Sequence, residues 1–243
     1  MNEMLFYDLK ESAGLAPSLA TQIARELGRR IVAGSYPADT LLDDEGTLAE
    51  RYQVSRSVVR DAVKILVGKG LLEVRRGIGT RVRARSSWGL LDDDVLAWHQ
   101  SAPLSVDHLR QLMDIRMVIE PKAARWAAER GTEDDLKMIE EAQLRMEEGQ
   151  GAVSDFITSD AMFHRSVLRA ANNDFLRAME GVIFASLLSS IRITNKDPSE
   201  NETSIPFHRA VTDAILARDS KAAELGMETL LSDARQRLGR YLD

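Results

Sequence analysis

Three polar side chains stand where an apolar helix face is expected. In residues 154–171 the spacing of Phe156, Phe163, Val167 and Ala171 marks the buried side of a helix. Asp160 and His164 fall on that same side, four residues apart, and His208 shares a face with Ile205, Val211 and Ile215. An inward carboxylate is costly unless it is paired or metal-bound. One Asp and two His converging in a helical bundle can hold a divalent ion through oxygen and imidazole ligands. The same spacing also fits an intrahelical ion pair beside a satisfied core histidine. Arg116 and Glu120, again four apart, offer a guanidinium fork suited to a carboxylate, or a plain Arg–Glu pair on a helix surface. Arg192 and Asn195, at the end of another helix, are further pocket candidates.

A second chemistry lies near the other end. VSRSVVRDAVKILVGKGLLEVRRGIGT, residues 54–80, reads as a helix, a glycine-marked stop and a short hairpin. Residues 51–86 carry ten basic and two acidic side chains, in a chain whose net charge is −6. A cationic patch on an anionic protein points to a polyanion for that patch, unless it is a solvated helix face. Arg56 and Arg60 share one face and Ser57 lies beside them, while Val58, Val59, Ala62 and Leu66 supply the opposite, packing face. Such an N-terminal helix face suits base edges and phosphates of a DNA major groove. At the hairpin tip, Arg75 and Arg76 can reach a phosphate or a minor groove, and Gly79 allows close backbone approach.

These residues need elements to hold them. The 243 residues suffice for two modest domains, and the composition, 44% hydrophobic and 29% charged, is that of a globular protein. There is no cysteine, hence no disulfide and no thiolate chemistry, which fits a reducing cytoplasm. Neither a membrane span nor a signal peptide is evident. The expected fold class is mainly α: an N-terminal winged helix-turn-helix followed by an all-α bundle. Residues 1–84 form the DNA-binding domain, with 1–16 a loose arm; 85–106 are a linker; 107–243 are helical. Helices are expected at 18–33, 47–52, 56–67, 107–130, 133–149, 154–171, 174–193, 204–218 and 220–240, with strands at 72–75 and 80–83. The linker holds Trp88 and Trp98 amid polar residues, and is expected to dock on the domain that follows.

LAERYQVSRSVVRDAVKILVGKGLLEVRRGIGTRV resembles the DNA-binding domain of the GntR family of bacterial transcription regulators, over roughly residues 18–84. The resemblance implies a homodimer on a short palindromic double-stranded operator, with Arg56, Ser57, Arg60 and Gly79 at DNA. Many members carry an arginine two residues before the Leu-Ala of the first short helix; here Gly46 holds that place. Residues 107–240 resemble the FCD ligand-binding domain of the FadR subgroup, on RMVIEPKAARWAAERGTEDDL, SDAMFHRSVLRAANN and FHRAVTDAILARD. That likeness implies a metal held by an aspartate and three histidines. Leu230 stands where the third histidine belongs, so a zinc-like ion would have Asp160, His164 and His208 alone, or these groups would bind the effector directly. It also implies an arginine near Arg116 that holds an acidic effector.

WGLLDDDVLAWHQ, with RMVIEP and ARWAAERGTEDDL, is similar to regulators of sugar-acid catabolism, including galactonate-operon repressors. The implied function is a cytoplasmic repressor, not an enzyme, released by a small carboxylate such as a hexonate. Arg116 would hold the carboxylate, with Glu120, Asp160, His164, His208 and Arg192 around it. The rival readings are a metal-dependent hydrolase or lyase in the helical domain, an activator, and a regulator answering another small acid.

Overall fold

The computed structural model describes residues 2–9, 16–103, 105–148, 153–194 and 203–240. The chain divides into two compact units, Met1–Pro103 and Leu104–Asp243. The architecture is the expected mainly helical one, a winged helix-turn-helix and a helical bundle.

The first unit comprises α1 (Asn2–Leu9), α2 (Leu19–Val32), α3 (Glu45–Tyr52), α4 (Arg56–Gly68), β1 (Leu72–Arg75), β2 (Gly79–Val82), a 3-10 turn (Arg85–Ser87) and α5 (Asp93–Ser101). Local chemistry sets most boundaries. Ser18, Asp44 and Ser55 cap α2, α3 and α4, each side chain accepting from backbone N–H groups of the first turn. Gln53 closes α3 at φ 53, the left-handed turn that redirects the chain into α4. The core joins Ile23, Leu27 and Ile31 of α2 to Leu48 of α3 and to Val59, Ala62, Val63 and Leu66 of α4. Val58, expected inside, is half-buried. β1 and β2 pair antiparallel with Leu72 opposite Val82 and Arg75 opposite Gly79. Leu41 adds one bridge to Arg81.

Two segments differ from expectation. The loose arm over 1–16 is helical at residues 2–9, with Phe6 fully buried. The buried Glu3 carboxylate accepts from Arg29 Nε and Ser101 Oγ, both at 2.6 Å, and the Tyr7 hydroxyl donates to Asp94 at 2.6 Å. Trp98, expected to dock with the linker on the domain that follows, sits on α5 and joins the first unit's core. The reason is Gly28 of α2, where a Cβ would lie 2.3 Å from the Trp98 ring; the missing side chain makes a flat seat for the indole. Trp88 donates through its indole N–H to the Arg83 carbonyl at 3.0 Å. Lys69 ties α5 down through Asp92 and Asp94, at 2.7 and 2.8 Å.

The second unit comprises α6 (Val106–Arg130), α7 (Glu133–Glu148), α8 (Val153–Ala170), α9 (Asp174–Ala178), α10 (Glu180–Thr194), α11 (Ile205–Leu216) and α12 (Ser220–Gly239). A capping box starts α7, Thr132 and Asp135 exchanging side-chain to backbone hydrogen bonds of 2.9 and 3.2 Å. The single helix expected over 174–193 breaks at Met179. The break starts a new helix at Glu180, whose buried carboxylate meets Arg165 and Arg169 of α8. α8 packs against α6, α7 and α10, so its whole inward stripe is covered. α11 and α12 pack on each other and on α6, which brings His208 and Leu230 toward α8.

Candidate functional site

In the winged unit, Arg56, Ser57 and Arg60 are exposed on the first turns of α4, as the amphipathic pattern requires. Arg60 is not idle: it grips Glu45 with two hydrogen bonds, Nε to Oε1 at 3.1 Å and Nη2 to Oε2 at 2.7 Å. That hydrogen bonding holds the Glu45 carboxyl below its usual range. Sequence reading missed this partner, although the acidic run Asp43-Asp44-Glu45 was its signal. Gly46 leaves room for Arg56, since a Cβ there would come within 3.1 Å of Arg56 Nη2. On the wing, Arg75 pairs with Glu73 at 2.8 Å, Arg76 is exposed, and the turn runs through Gly77 at φ 76 and Gly79 at φ 120. Both φ values lie where only glycine is comfortable.

The helical unit brings together five of the six residues singled out there. The side chain of the sixth, Arg192, and residue Asn195 lie outside the described residues. Asp160, His164, His208, Arg116 and Glu120 are all buried. Arg116 Nε donates to Glu120 Oε1 at 2.5 Å, within α6. The other Glu120 oxygen faces His164 Nδ1 on α8. Arg116 Nη2 lies 3.2 Å from His164 Nε2, and that nitrogen is 3.4 Å from Asp160 Oδ1. The same Asp160 oxygen is 2.9 Å from His208 Nε2, while His208 Nδ1 sits 2.9 Å from the Ser204 carbonyl. A carbonyl can only accept, so His208 Nδ1 carries a proton and Nε2 is presented to Asp160.

Electrostatics follow from burial and pairing together. Burial alone would raise the Asp160 carboxyl, but the pairing with His164 and His208 outweighs it and holds it far below its ordinary value. Burial likewise opposes ionisation of Glu120, yet Arg116 and His164 bring it down to about 2. For His164, burial pushes the imidazole down; Glu120 outweighs burial and the opposing Arg116, and the net shift is upward.

The cluster borders a cavity of about 60 Å³, which is room for roughly two waters. Met113, Phe156, Leu187, Leu230 and Leu231 supply its apolar wall. Arg237 also lines it and pairs with Asp233 at 2.8 Å. Sequence reading missed Arg237, although it lies i+7 from Leu230 on the same stripe of α12.

Two family models match the chain. Residues 19–82 match bacterial regulatory proteins of the gntR family, and residues 111–233 match the FCD domain. The galactonate operon transcriptional repressor of Escherichia coli K12 is 32% identical over 219 residues, covering 89% of this chain and 95% of the relative. The chain belongs to the GntR family. The Uxu operon transcriptional regulator of the same organism is 28% identical over 221 residues, covering 86% and 82%. Among solved structures, Streptococcus agalactiae GntR aligns with a TM-score of 0.51 and 26% identity, covering 89% of this chain and 99% of that one.

Membership sets the broad function. GntR regulators bind DNA operators, and FCD domains bind small-molecule effectors. This GntR-family chain is accordingly a transcription regulator and not a hydrolase or lyase. Among the described residues, no helix is long and apolar enough to cross a membrane. Asp160, His164 and His208 form a buried group able to hold a metal, with ligand atoms all within 4.8 Å of one another.

Proposed function

We propose that this chain represses genes of sugar-acid catabolism and releases its operator when a small carboxylate such as a hexonate enters the helical unit. The observation that carries the proposal is Arg116, a buried guanidinium lining a cavity beside Asp160, His164 and His208. A hydrophobic core gains nothing from that cation, whereas a carboxylate gains a charge-assisted partner. The galactonate and Uxu relatives support the substrate class. Glu120 orients Arg116, and the aspartate and histidines meet the effector hydroxyls.

On the DNA side, Arg56, Ser57 and Arg60 enter the major groove, while Arg75, Arg76 and Gly79 bring the wing to the backbone. A homodimer sets two such units at half-site spacing. The segment with Trp88 and Trp98 couples effector entry to the winged unit. By linkage, effector and DNA weaken each other's binding by one common factor.

The cluster fits a divalent metal such as zinc. Glu120 and the Ser204 carbonyl face the outer nitrogens of His164 and His208, the orienting arrangement that metal-bound histidines need. When bound, the ion would supply a Lewis acid for the effector's oxygens. Leu230 offers it no ligand, so water or the effector would complete the shell.

A thermal-shift screen of sugar acids, with and without chelator, tests the pocket. It is paired with binding to a duplex that the protein selects from a random library. Aldonates are expected to raise Tm and to weaken the selected duplex. His164→Ala should blunt that response and leave duplex affinity unchanged without acid; an unaltered response removes His164 from the pocket. No selected duplex and no acid-induced shift would end the proposal.

A further inference from the structure

We infer that the Asp160–His164–His208 cluster accepts one cation at a time: either a divalent metal ion or the guanidinium of Arg116. The inference rests on the proposal above that the cluster takes a metal. Its new content is that Arg116 competes for the site.

The argument begins with one lone pair. His164 Nδ1 faces the Glu120 carboxylate, so Nε2 is the nitrogen turned toward Asp160 and His208. An imidazole ligates a metal through the in-plane lone pair of an unprotonated nitrogen. Arg116 Nη2 stands 3.2 Å from that same Nε2, where its N–H donates to the lone pair. A guanidinium has no acceptor and does not lose its proton in proteins, so it cannot share the position with a metal. A metal on His164 requires Arg116 to leave Nε2.

Charge leads to the same exclusion. Asp160 and Glu120 are two buried carboxylates, and the Arg116 guanidinium is in contact with Glu120 and His164 in the cluster. A doubly charged ion beside a guanidinium in a water-poor site would be repelled by it. Glu120 resolves the conflict. It holds Arg116 Nε at 2.5 Å, so the far end of the guanidinium can swing from His164 while the near end stays paired. Leu230 and Leu231 beside it give a metal no replacement ligand. Metal affinity is therefore set by how readily Arg116 yields. The donor set of two imidazoles and a carboxylate selects zinc, nickel or cobalt over magnesium or calcium.

Full-length protein stripped with chelator, then titrated with Ni²⁺ by calorimetry, tests the competition. The comparison is wild type against Arg116→Met and Arg116→Gln, each checked for native circular dichroism. His164→Ala serves as the control that localises the ion. At least tenfold tighter Ni²⁺ binding is expected in whichever Arg116 variant folds, abolished when His164→Ala is added. Equal or weaker binding than wild type overturns the competition and leaves the metal proposal standing. Absence of His164-dependent binding in every form overturns both, while the acid response of the previous section remains a separate measurement.

Discussion

Two arginine–glutamate pairs, one in each unit, share their chemistry and differ in their surroundings. Arg60 and Glu45 meet at 2.7 Å with side chains 59% and 37% exposed. Arg116 and Glu120 meet at 2.5 Å with side chains 3% and 0% exposed. In water such a pair contributes little and exchanges readily, so Arg60 can trade a carboxylate for a phosphate or a guanine edge. In the core each member is committed to the other, because leaving one ionised and alone is costly. On the function proposed above, the winged unit keeps its cation ready for an external partner, while the helical unit keeps its cation in place as part of a receptor.

Removing the acidic partner from each pair is the strongest way to break this comparison. Glu120→Ala is expected to destabilise the helical unit by about 3–5 kcal/mol, the usual cost of an orphaned buried charge, read as a large drop in the urea midpoint. Glu45→Ala is expected to leave the midpoint unchanged. Similar effects in both variants would erase the distinction. Next in size, Arg60→Ala should abolish binding to the selected duplex with circular dichroism unaltered. Wild-type affinity should fall steeply with salt, by roughly one unit of log–log slope per phosphate neutralised. Normal affinity in the variant, or a flat salt response, would take the α4 arginines off the DNA.

The smallest effect concerns the clasp on α5. Burial would raise the Asp94 carboxyl, but Lys69 and Tyr7 outweigh it and hold it below its ordinary value. A depressed carboxyl stabilises the fold above its unfolded value of about 3.9, and the contribution fades as pH falls through the lower folded value. Wild type should therefore exceed Asp94→Asn in stability at pH 7, with the gap closing below about pH 4. A gap that is constant from pH 7 to 3 would mean that the Asp94 charge contributes nothing.

The sequence by itself determined what depends on neighbours a few residues away. The periods of α4 and α8, the caps at Ser55 and Asp219, the wing glycines and the inward Asp160–His164 pair are all local. Helix period and backbone sterics act within one or two turns, so residue order suffices. Contacts between distant segments had no such signature. Arg116 reaches His164 across 48 residues, Glu3 reaches Ser101 across 98, and Trp98 settles on Gly28 of α2. Whether Arg60 meets Glu45 or solvent, and whether His208 faces Asp160, depends on how whole helices dock. Docking is decided by the summed shape of many side chains, which no short stretch of sequence contains. The resemblance had already grouped Asp160, His164 and His208; the tertiary structure set the Arg116–Glu120 pair against them and left one ion pair buried and the other exposed.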